Sequence, residues 1–235
     1  MKWQKENKKL ASIRSKAPAV KRHLRSKGCD LPFYDLMDSY EDEFRRIVAD
    51  AKRRFSSIVD VHEVDEQTYR ACDWPALGYS GLQQVIFNSE DAAPRYGEQE
   101  SEANVCGYTS AFFDQGGKLR TGVMVRNTVK DFEHKELKYA FKIPALLHEL
   151  GHVQDIEQRL FFNVDTKTVK IIDAEVHANL YALDKLAERH LVHSYGLLFN
   201  AFKDASKRED YLGEVSRKVL ERMPQHKLID WNDYL

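Results

Sequence analysis

No apolar run in these 235 residues approaches the roughly 18 residues that a membrane-spanning helix needs, and the N-terminus shows no apolar core of a secretory signal. Cysteine is scarce: Cys29, Cys72 and Cys106 are odd in number and far apart, which argues against a disulfide scaffold. Internal repeats and low-complexity segments are missing as well. These absences lead to the expectation of a cytoplasmic enzyme with ample chain for one core and no membrane partner. Nor does one sign of charge dominate, with 36 basic and 37 acidic residues.

That balance conceals an asymmetry. Residues 1–27 form a basic arm in which Lys2, Lys5, Lys8, Lys9, Arg14, Lys16, Lys21, Arg22, Arg25 and Lys27 face Glu6 alone, a net charge of +9. The remaining residues, 28–235, carry 26 basic and 36 acidic groups, or −10. A basic arm on an acidic body suits nucleic acid, because each neutralised phosphate releases counterions. Trp3 would add a stacking surface for a base of single-stranded DNA. The competing reading is a solvated arm, or one that folds against the acidic body.

The chemistry is concentrated in His148-Glu149-Leu150-Gly151-His152. Positions i and i+4 share a helix face, so both imidazoles reach one metal ion, and Glu149 projects from the same turn as a candidate general base. The apolar lead-in Ile143-Pro144-Ala145-Leu146-Leu147 predicts a buried helix instead of a solvated one. Gly151 predicts the close approach of another backbone. A catalytic zinc needs a third protein ligand. Glu175, 23 residues after His152 in Asp173-Ala174-Glu175-Val176-His177-Ala178-Asn179, is the candidate, with His177 as its competitor. Asp173 is read as the N-cap of that return helix, which puts Glu175 in its first turn, and Val176, Leu180, Leu183, Ala187 and Leu191 as its apolar stripe.

HELGH followed by Glu-x-x-Ala-Asn (Glu175, Ala178, Asn179), with the strand Gly122–Asn127 before it, resembles the IrrE/ImmA-type zinc metallopeptidases. The resemblance covers about residues 57–190. It departs from the family in the long lead from Asp131 to Lys142 and in the β-branched excursion from Phe161 to Ile172. What it implies is an α+β zincin-like fold, a small mixed sheet packed on helices, with Zn2+ on His148, His152 and Glu175 and Glu149 as catalytic base. It also implies a narrow protein substrate, a helix-turn-helix repressor of a stress or phage-defence operon, as for CapP-like peptidases of anti-phage systems. The alternative is a DNA-binding sensor with a structural zinc site.

Other elements follow from periodicity. Leu36, Tyr40, Phe44, Ile47, Val48, Ala51 and Phe55 predict an amphipathic helix over about 33–56, and Ser57–Val64 a strand. Two strands around Asp114-Gln115-Gly116-Gly117 predict a hairpin, and residues 191–223 continue as helix with Gly196 and Gly213 as interruptions. Thr121–Asn127 is taken as an edge strand that holds substrate. His134, Tyr139, Tyr181, His193 and Tyr195 are candidate oxyanion donors. Cys106, beside Gly107 at the start of the hairpin, is a candidate inhibitory zinc ligand; its other reading is a small buried hydrophobe.

Overall fold

Tyr40, Phe44, Ile47 and Ala51 recur at helical spacing and are the buried face of α1 (Tyr40–Arg54). Acids fill its first turn and Lys52, Arg53 and Arg54 its last, each complementing the helix dipole. The computed structural model describes residues 40–91, 107–127, 135–189 and 191–223, which build an α+β fold. The expected helix over 33–56 is therefore seen from Tyr40 and ends at Arg54. Residues 33–39 lie outside the described residues.

Four strands make the main sheet, in the order β1 (Ile58–Val64), β5 (Leu119–Arg126), β4 (Gly107–Phe113) and β2 (Gln83–Gln84). β4 and β5 are the expected hairpin, closed by Asp114, whose Oδ1 accepts from Gly116 N and Lys118 N. β1 runs parallel to β5 on its other side. This overturns the reading of Thr121–Asn127 as an edge. β5 has a partner strand on both sides, and Val123, Met124 and Val125 are fully buried. Only the pairing of β1 decides this, and no local pattern announces a long-range parallel partner.

Between β1 and β4 the irregular section includes α2 (Glu66–Ala71), capped by Asp65, and a 3-10 turn at Pro75–Leu77. Trp74 and Tyr79 from this section pack with Phe112 on the sheet, at ring separations of 4.9–5.4 Å. The excursion between the ligand segments forms the hairpin of β6 (Phe162–Asn163) and β7 (Thr168–Val169), and β3 (Asn88–Ser89), from before β4, joins it in a second, three-stranded sheet of order β3, β7, β6.

The other layer is helical: α3 (Lys135–Gln158), α4 (Ile171–Glu188), α5 (Val192–Ala205) and α6 (Tyr211–Arg222). The lead-in from Lys135 is thus already helix. Pro144 sits inside α3, where it removes the N–H that Ala140 C=O would accept. Ser194 of α5, buried, donates to that same carbonyl at 2.7 Å. Lys142, also buried, pairs with Glu63 and lies over the rings of Phe44 and Tyr139, so α3 is fixed to both β1 and α1.

Two local readings of the helices need correction. Asp173 is not the N-cap of α4: the helix starts at Ile171, and its Ile172 N–H is accepted by Asp91 Oδ2 at 3.3 Å, a cap supplied from 81 residues away. Asp173 instead meets Arg222 of α6. Glu175 accordingly belongs to the second turn. Its buried face is Ala174, Val176, Ala178, Ala182, Leu183 and Leu186, while Leu180 and Ala187 are only partly buried and Leu191 lies past the helix end. Gly196 and Gly213 interrupt nothing. Both lie within helices, and the break falls at residues 206–210, where Asp210 caps α6. Among the described residues no helix is long and apolar enough to cross a membrane.

Candidate metal centre

His148 and His152 stand one turn apart on α3, and α4 crosses behind them to bring in Glu175. Gly151 permits that crossing. A Cβ there would lie 2.6 Å from Ala178 Cα, so any larger residue would force the helices apart. The three donor atoms all lie within 4.8 Å of one another. His148 Nε2 and His152 Nε2 are 3.1 Å apart, and Glu175 places one carboxylate oxygen 3.3 Å from the first and the other 3.4 Å from the second. Residues His148, His152 and Glu175 could hold a metal ion. His177, the competitor for the third place, does not join them. Its ring lies beside Phe161 instead.

The donor chemistry fits a cation. Asn179, one turn beyond Glu175, accepts with Oδ1 from His148 Nδ1 at 2.9 Å, so the neutral ring presents a bare lone pair at Nε2. Two imidazole nitrogens and a carboxylate then converge on one point. Burial works against a charged His148, but the hydrogen bond and charge of Glu175, helped by Glu149 and Asn179, lift its pKa to about 9. The opposite sign appears on Glu175: burial raises its pKa, yet the two histidines outweigh this and hold it well below the carboxylate range. The pocket is tuned for positive charge. Behind it, His152 Nδ1, Asp155 Oδ2 and His177 Nε2 are buried with no hydrogen-bond partner among the described residues. A cation on His152 Nε2 would keep the proton on Nδ1, a donor one turn from the Asp155 carboxylate.

Glu149 is buried beside the ligands, and its Oε2 accepts from Thr109 Oγ1 of β4 at 2.7 Å. Burial raises its pKa, and His148, His152 and the Thr109 hydrogen bond pull it part of the way back. β4 approaches this closely because Gly107 has no side chain: a Cβ there would lie 2.5 Å from Glu149 Cγ. Asp155 fixes the other wall. Its Oδ1 accepts from Phe161 N at 2.7 Å and Phe162 N at 3.1 Å, and Phe162 presents its ring to the edge of His152 at 5.8 Å.

Three residues at this centre were not assigned from sequence. Asn179 and Asp155 sit one helical turn beyond Glu175 and His152, a spacing that could have nominated them. Thr109 is 40 residues from Glu149 and carries no such signal. Of the candidate oxyanion donors, Tyr139 packs on Phe44 and Lys142, Tyr181 on Arg54, and Tyr195 on Phe199. His134 and the side chain of His193 lie outside the described residues, as do Cys29, Cys106 and the basic side chains Lys2, Lys5, Lys8, Lys9, Arg14, Lys21, Arg22 and Arg25. Compared with protein-family models, curated proteins and solved structures, the chain matches none of them, so the centre is read from its own geometry.

Proposed function

We propose that this chain is a zinc-dependent endopeptidase with a zincin-like catalytic fold, similar to the IrrE/ImmA type, and that its substrate is a partner protein, a helix-turn-helix repressor. The observation that carries the reading is one convergence: two imidazoles and a carboxylate within 4.8 Å of one another, with a buried glutamate beside them. That donor set and number suit a catalytic zinc with a further position for water or substrate. When bound, zinc would act as a Lewis acid toward a peptide carbonyl and acidify a water molecule.

The protein's own residues do the rest. Glu149 accepts a proton from the attacking water and passes it to the leaving amine. Burial raises its pKa from the ordinary glutamate value, which makes the carboxylate a stronger base toward that proton. Thr109 Oγ1 donates to Glu149 and keeps the carboxylate turned toward the centre. Substrate lies along β4. Ala111 C=O accepts from Val85 N at 2.8 Å on the side away from β5, and strand alternation turns Thr109 N–H and C=O toward that same side. An extended peptide added there would run past Glu149.

The deciding experiment is metal analysis joined to proteolysis. Purified protein should hold about one zinc per chain, and His148→Ala, His152→Ala and Glu175→Ala should each lose most of it. Glu149→Gln should keep the metal and abolish cleavage of a co-expressed repressor encoded beside it. Zinc retained in Glu175→Ala but lost in His177→Ala would overturn the ligand set. The basic arm is proposed to bind single-stranded DNA, and deleting residues 1–27 should remove a steeply salt-dependent affinity while leaving zinc in place.

A further inference from the structure

On the side away from the metal, His152 has two polar neighbours that the site described so far leaves without work. Gly151 and Ala178 mark the point where α3 and α4 touch, and His152 and His177 stand next to them in the chain. Asp155 follows His152 by one turn of α3. Its Oδ1 holds Phe161 N and Phe162 N of the hairpin, and the rings of those two residues lie 6.0 Å from His177 and 5.8 Å from His152. Within this enclosure His152 Nδ1, Asp155 Oδ2 and His177 Nε2 are buried and unpartnered among the described residues, on side chains of which His152 is 2% and Asp155 0% exposed. Burial lowers the His177 pKa, and the two charges that act on it are Asp155, which raises it, and His152, which lowers it further. A buried polar atom without a partner is costly, so three of them side by side call for a common one.

We infer that one buried water molecule joins His152 Nδ1, Asp155 Oδ2 and His177 Nε2, and that through it His177 is a positioning residue for the metal ligand His152. The inference rests on the metallopeptidase reading in needing a cation on His152 Nε2. With the cation there, Nδ1 carries the proton and donates to the water. The water donates in turn to Asp155 Oδ2, since the other oxygen of that carboxylate is taken up by the hairpin. One hydrogen and one lone pair of the water are left, so it serves His177 Nε2 in either tautomer. Three polar partners are what a buried water characteristically has. A second metal ion does not fit, because His148, His152 and Glu175 are the one group among the described residues able to hold one. The result is a symmetry on α4. Asn179 orients His148, and His177, on the other side of Ala178, orients His152, so the helix that brings Glu175 also sets the planes of both imidazoles.

Zinc affinity of the full chain, measured by chelator competition, tests this with two substitutions at one position. His177→Leu removes the polar atom and should weaken zinc binding about tenfold, the low end for losing a partner behind a metal ligand. His177→Gln sets an amide near the place of Nε2, where it can still bond the water, and should restore affinity to within about twofold of the wild type. In an Asp155→Ala background His177→Leu should cost much less, because the water has already lost its anchor. A high-resolution crystal structure of the zinc-loaded wild type should show the water within hydrogen-bond distance of all three atoms, and it answers the question even if His177→Leu does not fold. Full zinc affinity in His177→Leu, equal losses in the leucine and glutamine variants, or no water among the three atoms would overturn the inference and leave the metallopeptidase reading standing. Wild-type protein that takes up no zinc would overturn that reading, and this inference with it.

Discussion

The ligand side of the centre and its cleft side are held by different physics. On the ligand side two helices are pressed together until only a glycine fits, and the side chains that bear donors are fixed by close packing. On the cleft side a short hairpin and a strand are placed by a few directed hydrogen bonds, from hairpin N–H groups to Asp155 and from Thr109 to Glu149. Packing resists any change of volume, whereas a hydrogen bond yields when a single acceptor is removed. The candidate metal geometry should therefore be the stiff part of the molecule and the cleft wall the adjustable part.

Gly151→Ala breaks the stiff part with the largest expected effect. In an exposed helix interior this change gains about 1 kcal/mol from helix propensity. Here the new Cβ would lie 2.6 Å from Ala178 Cα and 3.0 Å from its carbonyl oxygen. The net result should be a loss of about 3 kcal/mol, the upper end for overpacking, accompanied by loss of zinc. Thermal denaturation and metal content read both, and a stabilised variant with full zinc would show that the helices are free to part.

Asn179→Ala sharpens the comparison, because it leaves helix packing alone and removes the acceptor that orients His148. Zinc affinity should fall roughly 10- to 100-fold, the usual cost of losing a partner behind a metal ligand. A chelator competition measures this directly. Unchanged affinity would mean that packing by itself holds the ring.

Much of the ligand side could be read in the sequence, and little of the cleft. His148, Glu149, His152 and Glu175 lie on two helices, and helical spacing converts sequence distance into position. Gly151 was legible for the same reason, as a point where a backbone must come close. The cap of α4 was not legible, because Asp91 supplies it from 81 residues away while Asp173 stands where a local cap should be. The same holds for the expected edge strand. Thr121–Asn127 has the composition of a strand, but whether a strand is central or peripheral depends on a parallel partner more than 50 residues earlier. Non-local pairing left no periodicity to read.

Asp155→Ala should strike the cleft side first, and reach the metal only through the lost carboxylate behind His152, as weaker affinity without loss of the ligand set. Two hairpin N–H groups lose their acceptor, which should cost about 2 kcal/mol of local protection. Hydrogen exchange at residues 161–169 should rise, while zinc content at saturating metal stays near that of the wild type. Equal loosening of α3 would erase the distinction drawn between the two sides.

The smallest effect is expected at Ser194, and it asks whether the ligand helix owes its stiffness to packing or to one bond. Pro144 lies four residues before His148 and leaves Ala140 C=O without its helical donor. Ser194 Oγ fills that place at 2.7 Å from the neighbouring α5, in a fully buried setting. Ser194→Ala should destabilise the fold by about 1 kcal/mol, within the range for a buried acceptor that loses its partner, and leave zinc affinity unchanged. In a Pro144→Ala background the helix recovers its own N–H at that carbonyl, so removing the serine should cost less. The coupling between the two substitutions, measured by urea denaturation of the four proteins, isolates the bond. No coupling would mean that Ser194 acts only through its volume, and a fall in zinc affinity would mean that α3 reaches the metal site less rigidly than its packing implies.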